Sequence, residues 1–351
     1  MGWWDGGKMK LKFDPEKCFS CDSYACLTKC TYLNYDFEGA RRERIKLANG
    51  EYSKLLEECK TCYACEEYCP YNNHPFYRIV ELQEEYGLDL APKPIAKQLV
   101  KMYAMRERDL AKITKVGEKA VSLCLFPELT GNLEGKLFEG LPIILGRQIF
   151  CNLVYLHFAN MTVIKERAQQ TIDNIAKYGV KELICFHDEC YGFFNSYARA
   201  YGLKVPFKTV HLYEYLYTKL KEKEDDIQKL NLKVAYQRNC SNRLSPETDE
   251  ILDKIFELIG VERVEREYDR ENALCCGAVF RMWGEDEVAD EVQKKNIKDM
   301  VDFKANFAVF NCPMCYIALG EMAAKNGLMP VLVSDLCRLA IGETPKLPGR
   351  G

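Results

Sequence analysis

Most of the eighteen cysteines stand in runs whose spacing could do chemistry. The pattern with most to say is Asn239-Cys240, then thirty-four residues, then Cys275-Cys276-Gly277, and then Asn311-Cys312-Pro313-Met314-Cys315. Packing explains it poorly, because a core cysteine needs neither a partner nor a fixed interval. Cys312 to Cys315 alone could be a bare dithiol after a strand, and a disulfide or buried thiols would be the plainest uses of the rest. Five thiolates together suggest more. A cubane iron–sulfur cluster offers four irons to four thiolates, so five imply an enlarged cluster or a spare ligand. Gly277 would let the backbone come close to whatever the thiolates hold.

These residues resemble the CCG domain of heterodisulfide reductase. The resemblance implies that Cys240, Cys275, Cys276, Cys312 and Cys315 hold a noncubane [4Fe-4S] cluster. It also implies that this cluster is a catalytic centre for reducing a disulfide.

Two further runs lie near the N-terminus. Cys59-x2-Cys62-x2-Cys65-x3-Cys69-Pro70 has the spacing of bacterial ferredoxins, in which the fourth cysteine serves the other cluster. Cys18-x2-Cys21-x4-Cys26-x3-Cys30 has a middle gap two residues longer and no final proline. Two zinc sites are the alternative use of such CxxC pairs. The region resembles the ferredoxin-like C subunit of heterodisulfide reductase. Under the cross-over rule one cubane takes Cys18, Cys21, Cys26 and Cys69, and the other takes Cys59, Cys62, Cys65 and Cys30.

The elements that must position these thiols are legible from periodicity. Leu232 to Tyr236 and Phe307 to Phe310 read as buried strands, and a helix is expected from Pro313. The thiols then gather where strands hand over to helices, the usual place for a site in an α/β sheet. From Ala120 onward the chain repeats itself with a shift of 125 residues, which sets Cys151 on Cys276, His187 on Cys312 and Cys190 on Cys315. The first copy is degenerate: Pro127, Phe150 and His187 stand where Cys240, Cys275 and Cys312 would be. Cys124 and Cys185 are expected in the core, with a smaller metal site of Cys124, Cys151, Cys190 and His187 as the alternative. His187 is expected either to face the five-thiol site as a catalytic proton donor or to cap the next helix. The fold class expected is therefore an α+β, mostly helical, ferredoxin-like two-cluster domain (1–90) and a helical connector (91–118), followed by a duplicated α/β CCG domain with a degenerate repeat (119–230) and an intact one (231–345). Ile95 to Glu118 reads as one amphipathic helix, Ser245 as the N-cap of the helix that follows it, and residues 1–12 as an irregular arm.

Composition narrows the rest. A net charge of −3 with no basic stripe argues against nucleic acid. No apolar run suits a bilayer span, and no signal peptide is seen, so a cytoplasmic place is expected, with docking at the inner face of the membrane as an option. There is no GxGxxG, Walker A or HExxH pattern. The function expected is an oxidoreductase that passes electrons from two cubane clusters to a noncubane one, with a small-molecule disulfide as substrate. The alternative is an electron-transfer subunit whose chemistry lies in another chain, and a redox-sensing scaffold is a third use. Expected partners are redox subunits: a flavoprotein, a hydrogenase or a cytochrome b.

Overall fold

The structure, a computed structural model, describes residues 4–5 and 8–345. Trp3 of the expected arm lies outside the described residues. Two-residue strands β1 (Trp4–Asp5) and β2 (Lys8–Met9) pair antiparallel, so the arm is not wholly irregular. The next segment, to Gly87, is entirely helix and loop. It comprises α1 (Pro15–Phe19), α2 (Ala25–Thr28), α3 (Phe37–Asn49), α4 (Leu55–Glu58), α5 (Ala64–Tyr68) and α6 (Pro75–Glu85). The longest, α3, starts where the Asp36 side chain accepts the Gly39 N–H at 2.7 Å and stops at Gly50, which takes a left-handed φ of 78°.

The expected helix over 95–118 is broken in two. Helix α7 (Lys93–Met102) ends four residues before Asp109 caps the start of α8 (Glu107–Leu110) by accepting the Arg106 N–H at 3.0 Å. Tertiary contacts hold the break: Arg147 Nε donates to Met102 O at 2.9 Å, and Asn174 Nδ2 lies 3.2 Å from Met105 Sδ.

Beyond the break stand two parallel sheets of the same plan. The first has β3 (Lys119–Cys124), β4 (Ile143–Leu145), β5 (Glu182–Cys185) and β6 (Lys208–His211), in the order β4-β3-β5-β6. The second has β7 (Leu232–Tyr236), β8 (Val261–Arg263), β9 (Phe307–Phe310) and β10 (Met329–Leu332), in the order β8-β7-β9-β10. In both, the first strand of the half lies between the second and the third, and β5 and β9 are offset by the 125 residues of the sequence repeat. Helix α9 (Met161–Lys177) follows β4. Helix α10 (Asp188–Gly192) follows β5 and runs through a π-turn at 193–197 into α11 (Ala198–Ala200), and α12 (Leu212–Glu222) follows β6. The second half carries α13 (Thr248–Ile259), α14 (Ala278–Trp283), α15 (Asp286–Asp302), α16 (Pro313–Lys325) and α17 (Val333–Ala340). Ser245 does not cap α13. The helix starts at Thr248, whose Oγ1 donates to the Ser245 carbonyl at 2.8 Å, so Ser245 closes a turn instead.

The halves meet through α12 against α13 and through Tyr213 and Tyr236, whose buried hydroxyls are 2.7 Å apart. One hydrophobic core runs from Val121 and Ile184 of the first sheet to Val234 and Val309 of the second. A second core joins Leu27, Leu47, Phe76 and Leu82 of the N-terminal helices to Ile164, Ile172 and Leu183 of the first half. The N-terminal segment is therefore built onto the first half, and burial does not part them at residue 90.

His157 pins this junction. Its Nδ1 is 2.8 Å from Thr61 Oγ1, its Nε2 is 3.3 Å from Tyr63 OH, and its carbonyl accepts the Trp283 indole N–H at 2.7 Å. Burial pushes its pKa down from 6.5 to about 4. A depressed imidazole pKa means that stability is fully present above the unfolded value and falls as pH drops from about 6.5 toward about 4. Between pH 7.5 and 5.5 this one group should cost about 1 kcal/mol. The melting temperature of His157→Gln should depend less on pH over that interval than that of the parent protein, and equal slopes would show that the imidazole does not report on the junction.

Candidate functional site: three groups of thiols

The strand ends of the two sheets face each other, and the second half collects its five cysteines there. Cys240 lies in the turn after β7, Cys275 and Cys276 precede α14, and Cys312 caps α16, which carries Cys315 in its first turn. Cys275, Cys276, Cys312 and Cys315 are buried and Cys240 is half-buried. The backbone is arranged to leave the sulfurs together. Gly277 takes φ 83° and donates its N–H to Cys275 Sγ at 3.4 Å, while a Cβ at this position would come within 3.1 Å of the Ala289 carbonyl and of the Gln293 side chain. Gln293 Nε2 and Asn296 Nδ2 donate to the carbonyls of Cys276 and Cys275, each at 3.0 Å.

His187 comes from the other half. It is buried, and its Nε2 lies 3.3 Å from Cys312 Sγ, while its Nδ1 is buried with no hydrogen-bond partner. Burial opposes a charge on this imidazole, but the neighbouring Cys312 sulfur outweighs it and raises the pKa to about 10. Cys312 in turn falls to about 6, first through its hydrogen bond from Cys315 and then through His187. Burial lifts the Glu189 carboxyl to about 7 against the pull of His187.

Asp188, next in the chain, has a role that sequence reasoning did not give it. Its Oδ1 accepts from His211 Nε2 and Asn242 Nδ2, both at 3.2 Å. Its Oδ2 accepts from Asn239 Nδ2 at 2.8 Å and from Asn311 Nδ2 at 2.6 Å. Asn239 and Asn311 immediately precede Cys240 and Cys312, so one buried carboxylate ties two of the thiol loops to the first half. The Tyr213 backbone N–H donates to His211 Nδ1 at 3.2 Å, which leaves the His211 proton on Nε2, facing Asp188. These contacts hold the Asp188 carboxyl well below its usual range in spite of burial.

The N-terminal thiols form two groups. Asn73 touches Cys18 Sγ through its side-chain amide at 3.4 Å and Cys69 Sγ through its backbone N–H at 3.3 Å, so the last cysteine of the second run stands beside the first run. Cys30, Cys59, Cys62 and Cys65, together with Cys26 of the first run, line one cavity walled by Leu27, Leu33, Leu55, Phe76 and Ile79. Arg44 lies buried near Cys18, Cys26, Cys65 and Cys69. None of its three guanidinium nitrogens has a hydrogen-bond partner. An orphaned buried cation among thiolates is costly unless an acidic group sits against it, and sulfide-rich anionic clusters would meet that need. The second group abuts the five-thiol site: the Cys275 N–H donates to Tyr32 OH at 2.8 Å, and Glu67 pairs with Arg238 at 2.9 Å and Arg243 at 2.7 Å.

Residues 234–320 match the CCG family, described as a cysteine-rich domain. The CCG match spans all five of the cysteines gathered by the second half. Over 94% of its length the chain is also similar to a hypothetical protein from Helicobacter pylori, of which it covers 72%, with a TM-score of 0.56 and 14% identity. That likeness concerns the fold alone. No curated protein matches. Among the described residues no helix is long and apolar enough to cross a membrane.

Of the remaining cysteines, Cys185 and Cys337 are wholly buried in the core. Cys124 is in the core as expected, and its sulfur also lies within 4.8 Å of those of Cys151 and Cys190. The Asp188 clamp yields a direct test. Asp188→Ala should cost about 3–5 kcal/mol, because it leaves His211 Nε2 and Asn239 Nδ2 buried without an acceptor and takes one of two acceptors from the amides of Asn242 and Asn311. Thermal unfolding of the anaerobic protein measures it, and a melting temperature equal to the parent's would mean that the carboxylate holds nothing together.

Proposed function

We propose that the chain is an iron–sulfur oxidoreductase that carries electrons through its N-terminal thiol groups to the CCG thiols, where a small disulfide is reduced. The observation that carries this reading is contiguity: Asn73 links Cys18 and Cys69, a cavity collects Cys26, Cys30, Cys59, Cys62 and Cys65, and Tyr32 and the Glu67 ion pairs join that region to the CCG thiols. The donor set of thirteen cysteines, the orphaned Arg44 and the CCG match all suit iron–sulfur clusters. In this reading Cys18, Cys21, Cys26 and Cys69 hold one cubane and Cys59, Cys62, Cys65 and Cys30 the other. Cys240, Cys275, Cys276, Cys312 and Cys315 hold a noncubane cluster with Gly277 against it. When bound, such clusters supply one-electron transfer.

The protein's own groups supply the rest. Reduction of a disulfide takes two electrons and two protons and yields two thiols. His187, with its Nε2 at Cys312, holds a proton beside the sulfur where negative charge collects, and Glu189 lies 3.9 Å from its Nδ1 as a second station. Arg44 would raise the potential of the cubane beside it by offsetting the thiolate charge. The two sheets of one plan, with thiols at the same three connections, are best explained by duplication of a CCG unit in which only the second copy keeps all five ligands. The external donor would be a partner redox subunit such as a flavoprotein, a hydrogenase or a cytochrome b.

A second reading has one observation in its favour. Apart from Cys240, the CCG thiols are at most 9% exposed, which suits a shielded carrier that serves another subunit's active site. Iron analysis tests the shared part: anaerobically purified protein should carry about twelve irons per chain, and about eight or fewer would remove the CCG cluster from both readings.

Turnover separates the two. With a reduced viologen dye as donor and small alkyl disulfides as acceptors, the parent protein should turn over, and His187→Gln should be slower by about 10²-fold or more at unchanged iron content. An unchanged rate would leave His187 as a hydrogen-bonding residue only. A parent protein that accepts electrons but reduces none of the disulfides would decide for the carrier.

A further inference from the structure

One hydroxyl is shared between the second N-terminal thiol group and the CCG thiols. Tyr32 lines the same cavity as Cys30, Cys59, Cys62 and Cys65. Its oxygen accepts the Cys275 backbone N–H at 2.8 Å, and its ring meets Phe280 of α14 edge-on, with centroids 6.2 Å apart. The side chain thus has its ring beside one set of sulfurs and its oxygen on the loop that carries the next. Its neighbours hold that placement. Lys60 Nζ, from the residue after Cys59, lies 5.8 and 5.7 Å from the rings of Phe280 and Trp283 and pairs with Glu285 at 3.0 Å. Helix α14, which opens directly after Cys275-Cys276-Gly277, is therefore clamped against the loop of Cys59 and Cys62.

A phenol can both accept and donate a hydrogen bond. The oxygen of Tyr32 has its donor, but among the described residues its hydrogen meets no acceptor. Burial first, and then the charge that Cys275 and Cys62 would carry, keep its pKa well above the usual phenol value, so the hydrogen stays in place. A buried O–H left without an acceptor is costly, and the sulfides of a cluster held by the CCG thiols would satisfy it. We propose that Tyr32 is a positioning residue that donates this hydrogen bond to the CCG cluster and so makes the cluster easier to reduce. This role rests on the iron–sulfur reading. Reduction adds negative charge to a cluster, and a hydrogen bond to a more negative acceptor is stronger. The bond therefore favours the reduced state and raises the potential. An electron arriving by way of the second cubane finds a better acceptor than it would without Tyr32. The hydrogen is shared and never transferred.

Tyr32→Phe keeps the ring and removes only the hydroxyl. In anaerobic redox titrations followed by EPR, the variant should keep about twelve irons per chain while its CCG signal titrates about 59 mV below the parent's. That shift is the one-electron equivalent of an about tenfold change in the reduction equilibrium, the size expected of one hydrogen bond to a charged group. After exchange into heavy water, pulsed EPR should find an exchangeable hydrogen coupled to the CCG signal of the parent that the variant lacks. A role in packing alone would leave that coupling in place. An equal midpoint would overturn the proposal, and so would identical couplings in the two proteins. Loss of about four irons from the variant would also overturn it, because Tyr32 would then hold the loop rather than tune the cluster. A parent protein with about eight irons and no third signal would instead remove the CCG cluster itself, and the role of Tyr32 with it.

Discussion

The carboxylate of Asp188 is the contact on which the arrangement of the two halves depends. It is almost completely buried, and a lone carboxylate there would be driven to protonate. It stays charged because His211 and three asparagine amides converge on its two oxygens. Hydrogen bonds to an ionised acceptor are about twice as strong as neutral ones, and here each also fixes a loop. Asn239 and Asn311 lead into Cys240 and Cys312, so the thiol positions are set by a charge in the opposite half. Removing the carboxylate would take an acceptor from four buried donors at once, which is why a satisfied network of this kind specifies one geometry and tolerates few others.

The asymmetry between the halves follows from what each loop must hold. In the second half, a cysteine at 312 and a proline at 313 start α16 and place Cys315 one turn on. In the first, His187 and Asp188 occupy the corresponding positions, and both side chains reach across to the partner half. The first half thus supplies side chains that contact and orient the thiol loops of the second. Its remaining thiols, Cys124, Cys151 and Cys190, lie buried with their sulfurs within 4.8 Å of one another.

The N-terminal helices enter this design as a third wall. Their core is continuous with that of the first half, and His157 reaches Thr61 and Tyr63 on either side of Cys62. Thr61 and Tyr63 both adopt left-handed backbone angles, φ 51° and 62°, so the loop around Cys62 is held in a conformation that its sequence alone would not favour. Glu67, shared between Arg238 and Arg243, closes the same junction from the other side.

By itself the sequence determined what depends on neighbours along the chain. Strands 232–236 and 307–310, the helix from Pro313 and the grouping of cysteines into runs were all legible, because apolar periodicity and ligand spacing are local properties. A 125-residue offset also set His187 opposite Cys312, since a repeat preserves the order of elements. Tertiary structure alone decided the rest. Asp188 meets partners 51 and 123 residues away, and no spacing announces them. Arg44 reads as one of several charges on an amphipathic helix until folding buries it among thiols. Cys124 reads as a core strand residue and is one, but only the fold sets its sulfur beside those of Cys151 and Cys190. The helix expected over 95–118 breaks because Arg147 and Asn174 compete for it. For Asp188 and Arg44 the deciding energy is the desolvation of a charged group, and that is set by which distant elements close over it.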